Sequence, residues 1–188
     1  MLTSKPSEMR TARLVMRRWR STDHEPFAAM NADPVVMEHF PAPLSRTESD
    51  AFIERIEAHF DEHGYGLWAV EAAGEFVGFT GLSWATFAAP FTPALEVGWR
   101  LASTAWGRGY ATEAATAALA RGFLEVDRIV SFTAVSNAPS RRVMERIGMT
   151  REGEFGHPRV PVEHPVHRHV LFAADRSTWR PPAPVAVP

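Results

Sequence analysis

The chain has 188 residues, with 20 Lys and Arg against 22 Asp and Glu, and no Cys. That length reads as one domain whose core needs no disulfide or metal staple, and zero Cys removes thiol nucleophiles and thiolate-held metal centres. A net charge of −2 gives no basic field for nucleic acid, and no apolar run reaches the ~20 residues of a membrane span.

The expected organisation is a loose N-terminus over 1–10, one domain over 11–179 and a Pro-rich flexible tail over 180–188. Met1–Arg10 lacks the apolar stretch of a secretory signal, and the missing Cys fits a reducing, cytoplasmic setting. In chain order, Arg13–Trp19 reads as a first strand. Asp23 and Pro26 open a helix through Phe27 and Met30, which Asp33-Pro34 breaks. A second short helix is expected through Val36 and Met37. Ser45-x-x-Glu48 is a capping box ahead of Phe52, Ile53, Ile56 and Phe60 at helical spacing, and Gly64 ends that helix.

Leu67–Glu71 and Phe76–Ser83 read as a hairpin around Ala73-Gly74. Leu95–Leu101 is the next strand, and a Gly-rich turn over 106–112 leads into an Ala-rich helix expected over Glu113–Glu125. Arg128–Val135 is a strand. Asn137-Ala-Pro139-Ser140 starts a helix that buries Val143, Met144 and Ile147 and stops at Gly148. Arg151–Phe155 and Val170–Ala174 close the series. Strands mixed with helices in this order predict an α/β protein: a mixed, largely antiparallel sheet of about six or seven strands flanked by about four helices.

The turn at 106–112 carries the most chemistry. A helix start leaves about four backbone N–H groups unpaired and a partial positive charge. Gly107 and Gly109 let the backbone approach an anion, and Arg108 adds a full charge, which suits a phosphate or pyrophosphate. Taken alone, the same Gly-x-Gly also fits an ordinary strand-to-helix turn.

The run Trp-Gly-Arg-Gly-Tyr-Ala-Thr-Glu-Ala over 106–114 resembles the acetyl-CoA loop of the GCN5-related N-acetyltransferases, in the branch of the RimJ/RimL ribosomal-protein N-terminal acetyltransferases. The wider family pattern opens on Gln or Arg where this chain has Trp106. Four more runs agree in order: Arg13-Leu-Val-Met-Arg, Asp33-Pro-Val-Val-Met37, Glu96-Val-Gly-Trp-Arg-Leu101 and Asn137-x-x-Ser140-x-Arg142-Val-Met-x-x-Ile-Gly148-Met149.

The resemblance implies direct, acetyl-CoA-dependent transfer to a primary amine, on a protein or peptide N-terminus or a small molecule, with no metal. The backbone of Trp99, Arg100 and Leu101 would pair with the pantetheine arm. Gly107, Arg108, Gly109, Tyr110, Ala111 and Thr112 would hold the pyrophosphate. Asn137 would bond the pantetheine, with Arg142 also on the cofactor side. Many relatives use a Tyr acid four residues beyond Ser140; Met144 stands there, so that acid is excluded.

Ser140 is then a candidate acid, with a helix-start hydroxyl as the alternative. Glu96 is a candidate base, with a solvated strand-end carboxylate as the alternative; in some branches the base aligns with Leu95, and one residue of shift reverses the face. His39, Phe40, His157 and His167 are expected to meet the acceptor. A zinc site among His157, His164, His167 and His169 is the less favoured reading of a Pro-stiffened loop. The small negative charge leans toward a cationic acceptor, and a homodimer stays open. The competing function is a CoA-binding sensor that has lost catalysis.

Overall fold

The computed structural model describes residues 8–182. Eight strands form one sheet in the order β1-β2-β3-β4-β5-β6-β8-β7. They are β1 (Met9–Arg10), β2 (Leu14–Arg17), β3 (Leu67–Ala72), β4 (Glu75–Ala85), β5 (Ala94–Leu101), β6 (Arg128–Ala134), β7 (Thr150–Gly156) and β8 (Arg168–Asp175). Four helices pack on it: α1 (His24–Ala32), α2 (Arg46–His63), α3 (Tyr110–Gly122) and α4 (Ala138–Arg146). Every strand pair is antiparallel except β5 with β6.

The local signals behave as their chemistry requires. Ser45 and Glu48 form the reciprocal capping box, and the Gly64 N–H bonds the Phe60 carbonyl at the other end of α2. Ala73 and Gly74 both carry positive φ, as a two-residue hairpin loop demands.

Three expectations are corrected, and one falls partly outside the described residues. The sheet has eight strands rather than six or seven. The extra one is Met9–Arg10, placed in the loose segment, which pairs with Met16 and Val15 because Met9 packs against the core. No second helix forms through Val36 and Met37; single turns close by Met37 N–H to Asp33 and Phe40 N–H to Met37 before Pro41. α3 begins at Tyr110, three residues earlier than expected, and ends at Gly122, because Gly109 already takes the cap conformation. Residues 1–7 and 183–188, including most of the expected tail, lie outside the described residues.

The sheet has two differently used faces. Leu82, Leu95, Val97 and Ile129 are fully buried with Ala114, Ala115, Ala118 and Leu119 of α3. On the other face, Phe79 packs with Phe27, Met30 and Ile53 of α1 and α2. The position that matters for function is the middle of the sheet. β5 pairs with β6 at only Leu95–Ile129 and Glu96–Val130, while its other edge pairs with β4 along its whole length. Beyond Glu96 the two parallel strands diverge, and the β5 backbone edge on that side is left open.

A candidate active site at the split in the sheet

A cavity of about 910 Å³ opens where β5 and β6 part. Glu96, Trp99, Arg100 and Leu101 reach it from β5, and Ser131, Phe132 and Thr133 from β6. The Gly-turn residues 106, 107 and 109–112 and the first two turns of α4 complete one side.

The anion-facing end is built by the turn. Gly107 and Gly109 have φ of 74° and 77°, which side-chain-bearing residues rarely adopt. Gly109 caps α3 with no side-chain cap, and the first helical bond runs from Glu113 N–H to the Gly109 carbonyl. The amides of Tyr110, Ala111 and Thr112 therefore lack helical partners. Arg142 and Arg146 also line the cavity, one helical turn apart on α4, without an acidic partner among the described residues. Arg146 is an addition to the expected set, and its i, i+4 spacing from Arg142 was the signal for it. Arg108 is exposed and does not line the cavity; its carbonyl accepts from Arg13 Nη1 at 2.9 Å.

Two braces hold this turn. The Trp106 indole N–H donates to the Leu101 carbonyl at 2.9 Å. Glu113 accepts from Thr11 Oγ1 at 2.6 Å, Arg13 N at 2.9 Å and Arg13 Nε at 2.7 Å, tying β2 to the start of α3. These bonds hold the Glu113 carboxyl below the usual range against the opposing effect of burial. Glu113→Ala is expected to lower stability by about 2 kcal/mol, measured by urea unfolding, because it breaks charge-assisted bonds in a half-buried setting.

Register decides the catalytic candidate. β4 and β5 pair without a shift from Ala94 to Leu101. Leu95 is 1% exposed and faces α3, so Glu96 faces the cavity. The Glu96 carboxylate leans toward Gly98, with Oε1 3.6 Å from where a Cβ on that glycine would stand. It accepts no hydrogen bond from a described residue. Burial without a partner pushes its carboxyl up to about 8.

Asn137, not Ser140, caps α4: its Oδ1 accepts from Ser140 N at 3.1 Å and its Nδ2 donates to Thr133 Oγ1 at 3.0 Å. One amide hydrogen of Asn137 remains for a ligand. The Ser140 hydroxyl lines the cavity and has no described partner, so the helix-cap alternative does not apply to it. Met144 is 1% exposed and packs into the core.

The expected acceptor residues divide. His39, Phe40 and His157 line the cavity. The His39 Nδ1 lies 3.3 Å from Ser136 Oγ, joining the α1–α2 connection to the loop after β6. His167 does not line it. Its Nδ1 lies 2.8 Å from the Val160 carbonyl and its ring fills the space above Gly156, so it braces the loop between β7 and β8. His169 takes its place: it lies within β8, paired with Ala134 and Phe155 beside the cavity, whereas His167 precedes the strand and turns to the loop. His157 and His169 pack in tilted ring contacts with Phe87, Phe132 and Phe155. Burial lowers both imidazoles, His157 to about 4, so they are neutral near pH 7. Among the described residues, no three His, Asp or Glu side chains are grouped to hold a metal ion, and no helix is long and apolar enough to cross a membrane.

The site thus sits in a mixed, mostly antiparallel sheet, split beside its one parallel pair, with an anion-ready turn at the mouth. The acetyltransferase (GNAT) domain profile matches residues 13–150, and the chain belongs to that family. An uncharacterized N-acetyltransferase of Bacillus subtilis, YnaD, is 30% identical over 150 residues, 77% of this chain and 84% of that one. An acetyltransferase from Agrobacterium tumefaciens superimposes with a TM-score of 0.72 at 27% identity, over 93% of this chain and 96% of that one. RimJ of Mycobacterium smegmatis, in complex with CoA-disulfide, shares the fold with a TM-score of 0.68 at 22% identity, over 87% and 82% of the two chains.

Proposed function

We propose that this protein is an acetyl-CoA-dependent N-acetyltransferase that transfers the acetyl group directly to a primary amine, on a peptide N-terminus or a small molecule. One observation carries the reading: a single cavity joins an unpartnered carboxyl of raised pKa, Glu96, to the free amides of α3. The Trp106–Ala114 run supports a RimJ/RimL-like branch.

The residues present fit CoA. The open edge of β5 suits a pantetheine arm laid as an added strand, and the amides of 110–112 with Arg142 and Arg146 suit its phosphates. Acetyl-CoA, when bound, supplies the acetyl group as a thioester. An amine attacks only when neutral, and unperturbed amines range from roughly 7.7 to 10.4 in pKa. Glu96, as the carboxylate, takes the proton from the acceptor amine. The neutral His157 and His169 add no positive charge that would repel an ammonium group. Ser140 Oγ presents a proton to the leaving sulfur. With no Cys in the chain, no cysteinyl acyl-enzyme enters the sequence of steps.

The test is a thiol-release assay with acetyl-CoA against N-terminal peptides, polyamines and amino compounds. Turnover of one class supports the reading. Binding of acetyl-CoA without turnover of any amine favours the sensor, and no binding at all removes both. Ser140→Ala is expected to lower kcat by about tenfold while changing stability by less than about 0.5 kcal/mol, since its hydroxyl caps nothing. Asn137→Ala, by contrast, is expected to cost about 1 kcal/mol by loss of the cap, read in the same unfolding experiment.

A further inference from the structure

Arg100 is a half-buried charge at the cavity without a described counter-charge. Alternation along β5 puts it on the Glu96 face, beside its β4 partner Phe79. Its guanidinium lies 4.1 Å from the Phe40 ring centre, 5.5 Å from Phe79 and 6.0 Å from Phe52. Nη1 donates to Asn31 Oδ1 at 2.6 Å. Nε is buried with no hydrogen-bond partner, and Nη2 has none among the described residues. No described carboxylate pairs with it, whereas the buried Arg17 holds both Asp23 and Glu71. Desolvation lowers the Arg100 pKa to about 10, so the charge persists at neutral pH. A half-buried charge without a counter-charge is costly to hold beside a cavity.

The unused N–H groups lie on one edge. Nε and Nη2 form the side of the guanidinium that grips a carboxylate through two parallel bonds. Arg55, which stands over the Phe52 ring at 5.4 Å, also lines the cavity without an acidic partner, as does Arg159 near Phe87. Three arginines without acidic partners therefore share the cavity lining with Glu38 and Glu96, which the net charge did not suggest. The geometry points to an acceptor that carries a carboxylate as well as its amine, the carboxylate held by Arg100 and the amine delivered to Glu96. Four residues of strand, about 13 Å, separate the two Cα atoms. The flat edge and its aromatic surround match a singly charged planar group better than a phosphate. This inference rests on the acetyl-transfer reading for its amine half only.

The experiment compares ω-amino acids of two to six carbons with their carboxamides in the thiol-release assay. The expected result is a ten- to hundredfold higher kcat/KM for the carboxylates, the range of a charge-assisted pair of hydrogen bonds. Arg100→Met and Arg100→Gln are both expected to abolish that difference; Gln keeps a donor for Asn31 if Met fails to fold. Equal rates on carboxylate and carboxamide in the parent protein, or a preference that survives in both variants, overturn the inference. So does an equal loss on both acceptors, which marks Arg100 as a clamp on the 31–44 connection. A phosphate-bearing amine preferred over all carboxylates overturns the assigned class. A second measurement separates the two readings: calorimetric binding of the N-acetylated products to the protein saturated with CoA. Arg100-dependent binding of the carboxylate with no turnover of any amine removes acetyl transfer and leaves this inference standing. Turnover with no Arg100-dependent difference in binding removes this inference alone.

Discussion

Glu96→Gln is expected to lower kcat/KM by about 10²–10⁴-fold while calorimetry still detects acetyl-CoA binding. The variant keeps size and polarity and loses only the ability to take a proton. The pH profile sharpens the test. The active form is the carboxylate, and its pKa in the folded protein is about 8, so the parent's rate rises with pH through that value. The same limb is expected to vanish in the variant. An unchanged rate with the limb intact would move the base elsewhere.

Stability should shift in the opposite sense. A Glu in the unfolded chain ionises near the usual carboxylate value, about 4.3, whereas folded Glu96 keeps its proton up to about 8. Between those values the folded state binds more protons, so stability falls as pH rises across the window. Gln carries no such penalty. Glu96→Gln is expected to be more stable than the parent at pH 9, by about 1–3 kcal/mol, and close to it at pH 5. Denaturant unfolding at the two pH values gives the comparison. A residue that weakens folding and strengthens chemistry is the pattern expected of a functional group.

Gly109→Val is expected to weaken acetyl-CoA binding by tenfold or more and to cost about 1–2 kcal/mol of stability. Gly109 sits at φ 77° as the cap of α3, and a β-branched side chain opposes that conformation. The amides of 110–112 would then no longer converge. Gly107→Ala is the control. Gly107 has φ 74°, but a Cβ there meets nothing within 4 Å, so it adds backbone strain without crowding. Titration of both variants with acetyl-CoA reads the effect. Unchanged affinity in Gly109→Val would remove the turn from the binding site.

Much of the fold was legible because its signals are local. The Ser45–Glu48 box, the Ala73-Gly74 loop and the Pro139 helix start each act within a few residues, and each appears where the residues place it. The turn at 106–112 was legible for the same reason. Its helix began three residues early because Gly109 itself served as cap, which a search for a side-chain cap overlooks. The 36–37 segment misled because two buried apolar residues at a turn look like the start of a helix.

The site divides along the same line. From its residue pattern alone, the chain determined an α/β protein with an anion-ready strand–turn–helix unit, and it excluded cysteine chemistry and a Tyr acid at position 144. Only the tertiary structure decided that Glu96 rather than Leu95 meets the cavity, that His169 and not His167 lines it, and that Arg100 stands there without a counter-charge. Those outcomes depend on strand register and on partners far apart in the chain. A side chain's face reverses with one residue of shift, and that shift is set by pairing across the sheet, not by neighbours in sequence.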